Sequence, residues 1–73
     1  MENVKVKFGK RVKKLRLISG ISQEKFAELA NLDRTYIPGI ESGKRNVSLE
    51  VIEKISIAFS LTISELLKDL NDY

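Results

Sequence analysis

The sequence predicts an all-α fold, five short helices packed into one compact globule. Three observations lead there. Apolar residues recur at helical spacing, as with Phe8, Val12, Leu15 and Ile18 along the first third of the chain. Capping residues stand in front of the later apolar runs, at Ser22, Asp33, Ser48 and Thr62. No run alternates with period two over the length of a strand. The 73 residues make a single domain, 1–73. A chain of this size buries only about 60% of the surface it exposes when unfolded.

The first helix is expected over Lys7–Ser19, with Phe8, Val12, Leu15 and Ile18 inward and Lys10, Arg11, Lys13, Lys14 and Arg16 on the remaining surface. Gly20 supplies a left-handed stop. Ser22 caps the second helix, and Ile21 with Phe26 has the spacing of a hydrophobic staple. Phe26, Leu29 and Ala30 face inward, and Ala27 is small enough to admit a close neighbour. Asn31-Leu32 turns the chain. Asp33 caps the third helix, whose Ile37 and Ile40 point to the core and which ends at Ser42-Gly43. Ser48 caps the fourth, with Val51, Ile52, Ile55, Ala58 and Phe59 as its apolar face and Ser60 as its end. Thr62 and Glu65 form the capping box of a fifth helix over 62–70.

Composition removes several classes of function. Without cysteine there is no disulfide and no thiolate metal site, and without histidine the commonest general base and metal ligand is missing. Carboxylate pairs such as Glu50/Glu53 and Glu65/Asp69 sit beside Lys54 and Lys68 and read as ordinary solvated helix surface, so no enzyme, metal, cofactor or small-molecule ligand is expected. No signal peptide or membrane span is evident, and a cytoplasmic protein is expected. Charge is divided along the chain. Residues 1–47 carry 11 basic and 5 acidic side chains, and residues 48–73 carry 2 basic and 5 acidic. A basic half suits a polyanion, and the acidic half suits a surface turned away from it.

The segment 22–43 has the layout of a helix-turn-helix, in which the second helix enters the major groove of duplex DNA. Arg34, Thr35 and Pro38 share the face opposite Ile37 and Ile40 and are the expected base readers. The Arg34 fork matches the O6/N7 edge of guanine, while Thr35 offers a hydroxyl and a methyl. Phosphate contacts are expected from Ser22 and Gln23 at the start of helix two, and from Lys44, Arg45 and Asn46 beyond the reading helix. Tyr36 has two readings, a hydroxyl on the sugar-phosphate edge or a ring packed partly in the core.

Pro38-Gly39 breaks the local rule for a helix. A proline inside a helix costs about 3 kcal/mol, and a glycine roughly 1 kcal/mol. A bent helix is still expected, because the cap, the isoleucine spacing and the Ile-Glu-Ser-Gly ending all survive. The altered backbone should change operator recognition relative to serine at position 38.

With Ser22-Gln23-Glu24, Phe26-Ala27-Glu28-Leu29-Ala30, Tyr36-Ile37 and Ile40-Glu41-Ser42-Gly43, the chain resembles the XRE or Cro-type family of repressors, with its lambda-repressor-like five-helix fold. Arg34-Thr35-Tyr36-Ile37, Gly39-Ile40-Glu41 and Arg45-Asn46-Val47-Ser48 are similar to the controller proteins of restriction–modification systems. That resemblance implies a homodimer on a roughly palindromic operator, regulating its own gene and the endonuclease gene. It implies an ion pair between Arg16 and Glu41. It also implies a dimer interface on the C-terminal helix, through Ile63, Leu66, Leu67 and Leu70, with Tyr73 as a further candidate. Phage or plasmid repressors share much of the motif, and an antitoxin-like adaptor could reuse the fold.

Overall fold

The structure, a computed structural model, describes residues 3–70. Five helices follow one another among these residues: α1 (Val4–Ser19), α2 (Gln23–Ala30), α3 (Tyr36–Glu41), α4 (Leu49–Ala58) and α5 (Ile63–Leu66). α1 starts a turn earlier than the apolar spacing suggests, because Asn3 caps it, its side-chain oxygen accepting from the Val6 amide at 3.1 Å. The hydroxyls of Ser22, Ser48 and Thr62 cap α2, α4 and α5 as expected, and Thr62 with Glu65 completes the capping box. Asn31 ends α2 and Ser60 follows α4, both in the left-handed region.

The core is made by Phe8, Val12, Phe26, Ala27, Ala30, Ile37, Ile40, Ile55 and Leu66. Phe26 stacks on Phe59 with ring centroids 4.8 Å apart. Two residues read as inward are not. Ile18 is exposed, together with its neighbours Leu17, Ser19 and Gly20, because the last turn of α1 runs past the packed elements. Leu29 is exposed because α2 buries the face of Phe26, Ala27 and Ala30, and Leu29 falls on its flank.

α1 packs against α3, and two glycines bring them into contact. A Cβ on Gly9 would lie 2.7 Å from the Glu41 carbonyl oxygen and closer still to that of Ile40. Gly43 has φ +77°, and a Cβ there would meet the Val6 Cα at 2.6 Å. Beside this contact sits the ion pair. Arg16 donates Nε to Glu41 Oε2 at 2.7 Å and Nη2 to Oε1 at 3.1 Å, and its Nη1 donates to the Ile21 carbonyl at 3.0 Å. Gln23 Nε2 adds a bond to Glu41 Oε1 at 3.0 Å. The two charged side chains are only 11% and 4% exposed. The hydrogen bonds to Glu41 raise the Arg16 pKa above its ordinary value, against the opposing effect of burial.

α5 is shorter than the expected 62–70. Arg11 supplies the reason. Its Nε donates to the Leu66 carbonyl at 3.1 Å and its Nη2 to the Glu65 carbonyl at 2.9 Å. The Glu65 carbonyl also accepts the Lys68 amide at 3.3 Å, three residues on in place of four, and the chain tightens into turns, with Asp69 at φ 65°.

Glu41→Ala, which strands a mostly buried guanidinium, is expected to destabilise the fold by about 3–5 kcal/mol in chemical denaturation. The two α1/α3 helix glycines should behave oppositely. Gly9→Ala is expected to destabilise strongly, because the obstacle is backbone. Gly39→Ala has only ordinary contacts, the nearest 3.6 Å away on Arg45, and should stabilise by up to about 1 kcal/mol. A Gly9→Ala variant as stable as the parent would contradict the close approach of α1 and α3.

Candidate nucleic-acid interface

α3 has one buried side and one solvent side. Ile37 and Ile40 are fully buried, while Arg34, Thr35 and Pro38 are exposed. The last three, with Gln23 and Glu24, line an open cleft between α2 and α3. All three expected base readers therefore come together on one edge.

The start of α3 differs from expectation. Asp33 was to cap a helix beginning at Arg34, but the regular helix begins at Tyr36 and Thr35 carries no cap bond. Pro38 is the cause. It has no amide to give the Arg34 carbonyl, so the first turn closes with shorter-range bonds. Tyr36 N donates to the Asp33 carbonyl at 3.0 Å, and Ile37 N to the Arg34 carbonyl at 3.3 Å. Thr35 keeps right-handed helical dihedrals, so the path is a tightened continuation of the helix. Asp33 still holds this turn. Its Oδ1 accepts from the Thr35 amide at 2.9 Å and from the Thr35 hydroxyl at 2.7 Å. Those two bonds hold the Asp33 carboxyl below its ordinary pKa, so it is ionised at neutral pH.

Arg34 is 75% exposed on its side chain, and its nearest acid is Glu24 at 3.7 Å. An exposed pair at that distance is worth little, so the guanidinium can be taken by a stronger acceptor. Arg45 lies over the Tyr36 ring, 4.1 Å from its centroid, and holds that half-buried ring against the core. Tyr36 thus realises the packed reading, with Arg45 as its lid. Lys44 and Asn46 are exposed on the same loop. The Ser22 oxygen accepts from the Lys25 amide at 3.0 Å, which leaves its proton to give. The Gln23 amide nitrogen donates to Glu41, which leaves its second hydrogen for a phosphate. Arg16 is committed to Glu41 and to the Ile21 carbonyl.

The expected dimer residues separate. Leu66 is fully buried in the chain's own core and has no surface to offer a partner, which corrects that assignment. Leu67 and Leu70 are half-buried and pack on the same core, and Ile63 is 38% exposed. Tyr73 lies outside the described residues. Ile57, 66% exposed on α4, was overlooked. Its signal is present in the sequence as an isoleucine off the Val51/Ile52/Ile55 stripe. Gly9 and Arg11 were also missed, and both act through backbone carbonyls, which sequence does not display. No helix among the described residues is long and apolar enough to cross a membrane.

A helix-turn-helix family profile matches residues 12–66. The control protein C.MunI of a Mycoplasma species is 51% identical over 71 residues, 96% of this chain and 96% of that protein. The crystal structure of the restriction–modification controller protein C.AhdI from Aeromonas hydrophila superposes with a TM-score of 0.80 at 49% identity, covering 84% of this chain and 92% of that one. The controller protein C.Esp1396I, solved as a tetramer in complex with its natural 35 base-pair operator, superposes with a TM-score of 0.85 at 34% identity over 96% of this chain and 92% of its own. A tightened helix α3 held by a buried arginine–glutamate pair is thus accompanied by full-length likeness to these regulators: the chain belongs to the XRE-type helix-turn-helix family, among the controller proteins of restriction–modification systems.

Proposed function

We propose that this chain is a sequence-specific transcription regulator of a restriction–modification system. It acts in the cytoplasm as a homodimer on a roughly palindromic operator controlling its own gene and the endonuclease gene. It is a binding protein and catalyses no reaction. The observation that carries this reading is the two-sided α3, with Ile37 and Ile40 sealed in the core while Arg34, Thr35 and Pro38 stand exposed on one edge. In a helix-turn-helix that edge meets base pairs while neighbouring groups take phosphates.

Arg34 reads guanine and Thr35 a neighbouring base. Ser22, Lys44, Asn46 and the exposed edge of Arg45 grip phosphates, with Gln23 and the Tyr36 hydroxyl as lesser contributors. Exposed Ile57 and Ile63, with the outer edges of Leu67 and Leu70, form the dimer surface. Two reading helices then stand about 34 Å apart, one turn of duplex. C.Esp1396I on its operator supports assembly of this kind on DNA.

Footprinting on the DNA upstream of its own gene, across a protein titration, is expected to reveal a symmetric protected site. Affinity for that site should fall by about a thousandfold to about a hundred-thousandfold between about 50 and about 200 mM salt for a typical 6–10 phosphate contacts. Salt-independent binding would contradict the reading. Arg34→Ala should lose about 1–3 kcal/mol of discrimination at one guanine, measured by competition among operator variants, whereas Lys44→Ala should weaken all duplexes alike. Pro38→Ser restores an amide for the Arg34 carbonyl and is expected to extend α3 backwards and change operator affinity. Equal affinity and equal specificity for the two proteins would refute a role for the tightened turn.

A further inference from the structure

Thr35 faces the cleft with a hydroxyl whose proton is already committed. The Thr35 Oγ1 and the Asp33 Oδ1 are 2.7 Å apart. A carboxylate ionised at neutral pH has no proton to give, so the hydroxyl is the donor. A second bond, from the Thr35 amide at 2.9 Å, fixes the same carboxylate oxygen in place. Each hydroxyl has one donor and two acceptor sites. What remains of Thr35 for a ligand is therefore a pair of acceptor lone pairs and a methyl group.

The major groove presents two kinds of group at the position such an oxygen would meet. Adenine and cytosine offer an exocyclic amine, a donor. Guanine and thymine offer a keto oxygen, an acceptor. A keto oxygen could bond Thr35 only by drawing the proton away from an ionised carboxylate, which is the stronger acceptor. We propose that Asp33 makes Thr35 an acceptor-only reader, so that the protein selects an amino base at the operator position facing Thr35. This rests on the DNA-binding reading above. Adenine ranks above cytosine, because its thymine partner places a methyl in the groove near the Thr35 methyl and the exposed Pro38 ring. Asp33 is then a positioning residue that sets the hydrogen-bonding polarity of its neighbour.

The test uses the full chain and duplexes selected by it from a random pool. At the position where Thr35→Val changes the selected base, the parent protein should have chosen adenine or cytosine. Replacing that adenine by purine, which lacks the amine, should weaken the parent by about tenfold, the usual scale of one lost base contact, and leave Thr35→Val binding unchanged. Asp33→Ala frees the proton and should let keto bases be bound there, while Asp33→Asn, whose neutral oxygen is a weaker acceptor than the carboxylate, should relax the amino preference only in part. These last two variants are read only after circular dichroism confirms their helices, and the purine measurement needs neither. A keto base at the Thr35 position, or equal losses with purine for the parent and Thr35→Val, would overturn the proposal while leaving sequence-specific binding intact. A parent protein that selects no sequence at all would instead remove the reading beneath it.

Discussion

The Glu41 carboxylate is the point on which the rest of the structure depends. It lies at the end of α3, almost wholly out of solvent, and receives Arg16 from α1 and Gln23 from α2. A charge in that position is costly unless its lone pairs are met, and here both oxygens are met. The same guanidinium reaches the Ile21 carbonyl, in the connection between α1 and α2. Three elements are thereby fixed to one another through a single side chain. A six-residue helix has little stability of its own, and α3 carries a proline and a glycine besides. Its orientation comes from this polar clamp and from the burial of Ile37 and Ile40, with propensity contributing little.

That external support explains how Pro38 is tolerated. Loss of one helical amide bond is absorbed by shorter-range bonds in the first turn and by the Asp33 side chain. The interior side of α3 stays in place because Ile37 and Ile40 have no other position to occupy. The distortion is confined to the exposed edge, where Arg34 and Thr35 stand. A proline that would break an isolated helix here reshapes only the exposed edge of α3.

Much of this was legible in the chain, where local chemistry carries the signal. The Ser22, Ser48 and Thr62 caps, the end of α4 by Ser60 and the inward isoleucines of α3 all follow from residue type and spacing. The clustering of Arg34, Thr35 and Pro38 followed from helical periodicity, which survives the tightened turn. What escaped depends on partners remote in sequence. Arg11 meets carbonyls more than fifty positions away, which shortens α5. Gly9 is required by the backbone of α3, and nothing in its own neighbourhood announces that. Leu66 looked like a surface anchor because periodicity reports an apolar face without saying whether a partner or the chain's own core covers it. The Arg16–Glu41 pair came from family likeness, since no spacing rule joins residues of two different helices.

The Arg11 fork has a mechanical meaning for the whole molecule. Within two turns of one helix, α1 grips the C-terminal turn through Arg11 and the end of α3 through Gly9 and Arg16. α1 is in effect a spar, and both attachments are made to main chain or to a buried charge, neither of which yields easily. A displacement of α1 would therefore disturb both attachments at once, so the turn after α5 and the end of α3 share one support.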